Sequence, residues 1–364
     1  MGKQESSAQD QVRTTVEDVR DDVEDVDIAS IEEPTSSRHS HHSTSSRKTY
    51  HYLSHHILAL LIPFSIFGVL ARLGIQALTT YNGQSFASLT YVQATGCLVM
   101  GFALHLKEPI SDFYGPLYTA ITTGFCGSLT TFSGWQSDIF SSWINSGHFL
   151  RGGLRDFIDG LGKTVFTLCV SIASVLFGTY LARVLVPHIP TKRFPPRPTF
   201  KFRYGLTIFS VLIYAATFPT YFLLPDDYRH QATAALLFAF PGTLTRYLLS
   251  VQLNPLLKTF PMGTFAANAI GSGLLAAFRV IQGIEGNGRI SSNACSILQG
   301  LDDGYCGCLT TISTFATEIL ALKGWARARY VLVSWVVGQL LFLVILGPAL
   351  LSGNVGKSTA CSFT

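Results

Sequence analysis

Between residues 57 and 351 the chain is a succession of apolar runs, each close to the ~20 residues that an α-helix needs to cross the hydrocarbon of a bilayer. Nine can be marked: 57–79, 86–106, 116–140, 161–186, 204–224, 231–252, 262–282, 296–321 and 329–351. Backbone polar groups must be satisfied internally in lipid, so this pattern predicts an all-α polytopic membrane protein. Charge agrees. Only 13% of the residues are charged, against about 25% in a typical soluble domain, and the first 49 residues hold 11 of the 22 acids. The remainder carries 20 basic and 11 acidic side chains. A soluble enzyme and a disulfide scaffold are excluded. No basic patch interleaved with aromatics points to nucleic acid.

Residues 1–56 read as a disordered tail. An acidic stretch (VEDVRDDVEDVDIASIEE) gives way to a Ser/His run containing His39, His41 and His42, and the apolar content is too low to fold alone. No apolar segment near the N-terminus marks a cleavable signal peptide. Lys and Arg in the short loops set the orientation. With the tail cytoplasmic, the inner loops hold Arg47, Lys48, Lys107, Lys192, Arg193, Arg197, Lys201, Arg203, Lys258, Lys323, Arg327 and Arg329. The outer loops hold fewer basic residues, and only 151–163 dissents. An odd number of crossings then places the 352–364 tail outside the cell, in a multi-pass protein of the plasma membrane. Six of the seven cysteines lie in or beside apolar runs, where a thiol acts as a small hydrophobe. Cys306-Gly-Cys308 lacks the spacing of a zinc or redox site.

The chain contains itself twice. GFCGSLTTFSGWQSDI (124–139) aligns without a gap on GYCGCLTTISTFATEI (304–319). FGVLARLGIQAL (67–78) matches FPGTLTRYLLSV (240–251) at Gly68/Gly242 and Arg72/Arg246, and Gly96 aligns with Gly271. Two four-helix repeats follow, 57–186 and 231–351, with a basic cytoplasmic loop and one linker helix in 187–230. A four-span unit begins and ends on the same side, so one extra crossing inverts the second repeat. The halves are then related by a pseudo-two-fold axis in the membrane plane, and functional sites in such proteins sit near the midplane.

The GxCGxLTT segments are poor helix, since Gly and Thr are weak helix formers. Irregular backbone at membrane depth is tolerated only inside protein or along a cavity. Two copies at matching positions predict two broken helices crossing at the centre, whose free carbonyls can hold a cation. The competing view is that small residues there merely permit close packing.

These residues resemble a known family. The order GxxxR (Gly68–Arg72, Gly242–Arg246), then NxxG (Asn268–Gly271), then a Gly-rich TTFSTF element is that of the CrcB/Fluc fluoride channels. Two such units joined by one span resemble that family's tandem, fungal-type fluoride export members. The resemblance covers about 57–351. It implies a passive fluoride-selective channel that exports fluoride and gives fluoride resistance, working as one chain in the lipid bilayer. It also implies two pores, each using a span-2 Asn, two Phe from TFSTF and a polar track, with a structural Na+ at the pseudo-two-fold centre. Carried over residue by residue, the Na+ carbonyls are those of Gly127, Thr130, Gly307 and Thr310. The second Gly of the family's pair is Ser128 in one half and Cys308 in the other.

The chemistry is compatible. A small, strongly hydrated anion needs close hydrogen-bond donors to leave water. Conduction needs weak, sequential sites, which hydroxyls, amides and the electropositive edge of a Phe ring provide. Arg72 and Arg246 within apolar runs need a reason: structural anchoring, a vestibule role, or snorkelling near a span end. Asp138 and Glu318 read as capping or packing groups.

The two halves diverge in a pattern. The span-2 amide is Asn268 in one half and Gln93 in the other. The first Phe of the motif is Phe132 opposite Ile312, and the second is Phe315 opposite Trp135. Tyr330, Ser334 and Gly338 share a helix face, where the first half has Thr167, Ser171 and Val175. Asn268, Phe315, Tyr330 and Ser334, with Ser313, Thr314 and Phe132, compose one complete pore. Gln93, Trp135 and Ile312 fall to a vestigial one. A secondary anion transporter coupled to H+ or Na+ is the alternative. The absence of a convincing mid-span titratable residue argues against it. A non-transporting scaffold leaves the recurring polar residues unexplained.

Overall fold

Gly and Thr in the middle of two apolar runs decide the architecture, because each run stops being helix there and a new helix begins beyond the extended threonine. The structure, a computed structural model, describes residues 50–80, 88–150, 152–188, 197–223, 231–284, 290–353 and 355–356. Residues 1–49, 189–196 and 357–364, among them most of the acidic tail and much of the basic loop, lie outside the described residues.

The first half comprises α1 (His55–Leu78), α2 (Ser88–His105), α3 (Lys107–Thr119), α4 (Phe132–Trp143) and α5 (Gly153–Leu185). The linker is α6 (Phe200–Leu223). The second half comprises α7 (Gln231–Leu253), α8 (Met262–Gln282), α9 (Ser292–Gly300), α10 (Ser313–Ala321) and α11 (Gly324–Leu351). Among the described residues the β structure is one isolated bridge, Ile284 with Val355, supported by Gly356 N–H donating to the Gly283 carbonyl at 2.8 Å. It ties the end of α8 to the chain after α11.

Among the described residues six helices, α1, α5, α6, α7, α8 and α11, are long and apolar enough to cross a membrane unaided. A seventh span results if α2 and the run from Lys107 to Trp143 count as one, bent by 106°. The nine expected crossings therefore include three segments, 86–106, 116–140 and 296–321, that length and composition do not establish on their own.

Both breaks have the same anatomy. After α3 the backbone widens into a π-helical stretch, Ala120–Cys126, then one α-turn, Gly127–Leu129. After α9 the same sequence occurs at Leu301–Cys306 and Gly307–Leu309. Thr130 (φ −87°, ψ 150°) and Thr310 (φ −95°, ψ 153°) are extended and end the turns. Single π-turns inside helices recur at functional sites.

The continuation of each broken helix packs into the other half. α4 lies on α8 and α11, and α10 lies on α5 and α2. The linker α6 rests on α1 and α7. Close approach uses small residues, as expected in lipid. Gly101 on α2 meets the Val175 carbonyl of α5, and Gly178 meets that of Leu98, leaving no room for a Cβ at either. Phe132, Trp135, Ile312, Phe315 and Tyr330 sit in one buried cluster where the halves meet.

Candidate functional site

The breaks leave backbone groups that helix would have satisfied, and the second half satisfies those of the first and vice versa. Thr130 Oγ1 donates to the Cys126 carbonyl at 3.0 Å and accepts from Ser313 N–H at 3.1 Å and Ile312 N–H at 3.3 Å. It also lies 3.0 Å from Ser313 Oγ. Thr310 Oγ1 mirrors this: the Cys306 carbonyl at 3.0 Å, Phe132 N–H and Ser133 N–H at 3.1 Å, Ser133 Oγ at 3.0 Å. Each threonine hydroxyl thus caps the N-terminus of the opposite half's helix, which exposes unpaired N–H groups. The span-2 amides clamp the next residue. Asn268 Oδ1 accepts from Thr311 N–H at 2.9 Å and its Nδ2 donates to the Thr311 carbonyl at 3.3 Å. Gln93 makes the same two bonds to Thr131, at 3.3 and 2.7 Å.

Two guanidinium groups brace the centre. Arg72 donates to the Gly307 carbonyl at 2.8 Å and to the Asp303 carbonyl. Arg246 donates to the carbonyls of Cys308 and Thr123, both at 2.8 Å. Both side chains are fully buried, so they anchor and do not snorkel. Gly307 and Gly127 lie directly beneath these guanidinium groups, where a Cβ would collide. That is why the motif keeps this Gly in both halves although its neighbour has become Ser128 or Cys308.

This arrangement bears on the four carbonyls expected to hold Na+. Those of Gly127, Thr130 and Thr310 accept no hydrogen bond among the described residues, so three buried oxygen donors fit a hard cation. The fourth, on Gly307, is already met by Arg72.

Phe132 and Phe315, from opposite halves, meet edge to face with centroids 5.4 Å apart, both fully buried. Phe315 lies 5.0 Å from Tyr330, and Tyr330 packs at 84° against Phe260. Ser334 is buried one helical turn beyond Tyr330 with no hydrogen-bond partner for its hydroxyl. Ser313 is buried at the break, and Thr314 N–H donates to Thr311 Oγ1 at 3.5 Å. The residues assigned to the complete pore therefore lie together. Those assigned to the vestigial pore are not segregated from them. Trp135 packs edge to face on Phe132 at 5.5 Å, with its indole N–H on the Lys163 carbonyl, and Ile312 is buried in the same cluster.

Glu318 corrects the sequence reading. It is a buried carboxylate that accepts from Tyr330 OH at 2.5 Å, from Thr264 Oγ1 at 2.6 Å and from Asn254 Nδ2 at 3.4 Å. A buried ionisable side chain therefore does stand beside the aromatic cluster. Its counterpart Asp138 is exposed. Leu89 and Thr167 stand where the second half has Thr264 and Tyr330, so the two acids have different surroundings. Cys295 is a further correction: it is disulfide-bonded, not an inert small hydrophobe. Cys306 and Cys308 are buried free thiols.

Duplicated broken helices that cap one another inside an apolar bundle define a multi-pass membrane protein whose centre is polar and shared between two halves. The family description "CrcB-like protein, Camphor Resistance (CrcB)" matches this chain twice, at residues 59–179 and 233–347, and the chain belongs to that family. It is 31% identical to Fluoride export protein 1 of Candida albicans over 90% of both chains. It is 30% identical to Fluoride export protein 1 of Neurospora crassa over 79% of this chain and 65% of that one. A stretch covering 23% of the chain is 38% identical to the fluoride-specific ion channel FluC of Escherichia coli, over 67% of the latter. No solved structure matches.

Proposed function

We propose that the chain is a passive fluoride-selective channel that carries fluoride out of the cytoplasm. Membership of a family whose relatives are named for fluoride supports the ion. The observation that carries the path is the buried edge-to-face contact of Phe132 and Phe315 across the halves. Ring edges are electropositive and attract an anion without the grip of a lysine or arginine. The path combines Phe132 with Asn268, Phe315, Tyr330, Ser334, Ser313 and Thr314. Asn268 fixes the backbone at the second break. Ser334 offers a hydroxyl free of other partners. The other path, with Gln93, Trp135 and Ile312, is vestigial. A structural Na+ is held by the carbonyls of Gly127, Thr130 and Thr310, with Gly307 turned to Arg72. The ion would add positive charge and fasten the two breaks.

The chain crosses the plasma membrane nine times as two inverted repeats, 57–186 and 231–351, with the 1–56 tail cytoplasmic and 352–364 outside. Loop charge supports this. So does Cys295, since disulfides persist in oxidising compartments and nine crossings put the start of α9 on the outer side. A second reading, anion transport coupled to H+ or Na+, gains from buried Glu318 beside Tyr330. The test is fluoride efflux from liposomes holding the purified chain. A channel passes fluoride down its own gradient at a rate indifferent to imposed proton or sodium gradients. Efflux that scales with either gradient selects the transporter.

A further inference from the structure

One buried side chain beside the complete path has a donor group with nothing to bond to. α4 carries Gln136 into the other half, where its carboxamide lies over Gly338 of α11. A Cβ at Gly338 would come within 2.8 Å of Gln136 Cδ, so the missing side chain makes the space. Gln339 Nε2 donates to Gln136 Oε1 at 2.6 Å and to the Gln136 main-chain carbonyl at 3.0 Å. Two oxygens facing that nitrogen fix which way the carboxamide lies, oxygen toward Gln339 and NH2 away from it. The NH2 has no acceptor, although Gln136 is 0% exposed, and across the pair Gln339 Oε1 has no donor. One turn along the same α11 face, the buried Ser334 hydroxyl is also without a partner.

A buried amide donor with no acceptor is unfavourable in a folded protein. A path for an anion is where such donors belong, because the permeant ion is an acceptor and nothing else. Ser334 and Gly338 are four residues apart, about 6 Å of helix rise, so the Ser334 hydroxyl and the carboxamide lying over Gly338 follow one another along α11, an order suited to weak sequential sites. The mirror path has none of this. Aligned by the repeated motif, Gln136 falls on Ala316, and Gly338 and Gln339 fall on Val175 and Leu176. Val175 is buried and carries a side chain where Gly338 has none.

We propose that Gln136, held by Gln339 across the Gly338 notch, is a further fluoride-contacting donor, and that this amide pair contributes to restricting conduction to one of the two paths. The inference rests on the channel reading above. The test is fluoride efflux from liposomes holding the full-length chain, over a range of fluoride concentrations and normalised to monodisperse protein. Gln136→Met keeps the length and removes the donors. Efflux should fall about tenfold, the effect of one good hydrogen bond to a charged group, with the half-saturating fluoride concentration raised. Gln136→Glu, the same shape with acceptors only, should fall further. Gln339→Met frees the carboxamide and should raise the half-saturating concentration with a smaller loss. Leu176→Ala on the mirror helix should stay within about twofold of wild type. A monodisperse Gln136→Met with wild-type efflux and half-saturation overturns the proposal. If that variant does not fold, an unchanged Gln339→Met does the same. Wild-type protein that passes no fluoride removes the channel reading itself, a distinct result.

Discussion

The two helix breaks are near copies in their backbone and strangers in their surroundings. Both run from a π-turn through Cys-Gly into an extended threonine, and both are capped by the other half's threonine hydroxyl and braced by the other half's arginine. One or two turns away the likeness ends. Glu318 is buried among Tyr330, Thr264 and Asn254, whereas Asp138 is exposed. Gln136 meets Gln339, whereas the aligned residues are Ala316 and Leu176. Keeping buried backbone satisfied in a membrane is a demand on both halves at once, since each half completes the other. Lining an ion path is a demand that one half can meet for both. A duplicated chain is therefore free to lose polar residues from one path but not from the crossing.

Experiments can break that comparison in order of expected effect. Phe132→Ala or Phe315→Ala should abolish fluoride efflux, because each opens the shared aromatic contact, while Ile312→Ala should leave most of it; equal losses would end the distinction between the paths. Arg72→Ala and Arg246→Ala should behave alike. Each strands one buried and one part-buried carbonyl that accept from a charged donor, at a cost of about 3 kcal/mol, so little monodisperse protein should survive size-exclusion chromatography in either case. If one arginine is dispensable, the breaks are not equivalent. Thr130→Val and Thr310→Val remove reciprocal caps and should each lower stability by about 1–2 kcal/mol, seen as matching shifts in thermal unfolding in detergent. Smallest for conduction, Gln93→Ala should lower stability by about 1–3 kcal/mol through its two lost backbone bonds, with efflux per folded molecule retained.

Much of this was legible in the sequence, and the rest was not for identifiable reasons. The breaks could be read because GxCGxLTT occurs twice and cannot continue a helix. The arginines could be flagged but not assigned, since their partners are main-chain carbonyls, which carry no sequence signal. Gln93 looked degraded beside Asn268, yet the longer amide makes the same two bonds. Glu318 could be flagged but its partners could not, since Thr264 and Tyr330 lie on other helices of its own half; Gln136 escaped because Gly338 and Gln339 come from the other half. An aligned motif pairs each residue with its counterpart and says nothing of the neighbour supplied by the other half. Two of the nine expected crossings, 116–140 and 296–321, fall short of an unaided span because each is broken at its Gly-Thr motif.

The central claim is a passive fluoride path built from both halves and complete on one side only. The most direct measurement is fluoride efflux, monitored by electrode, from liposomes holding equal amounts of monodisperse wild-type, Asn268→Ala or Gln93→Ala protein. The prediction is efflux driven by the fluoride gradient alone in wild type, none with Asn268→Ala, and efflux retained with Gln93→Ala. Equal loss in the two variants, or conduction that persists in Asn268→Ala and fails in Gln93→Ala, would contradict it.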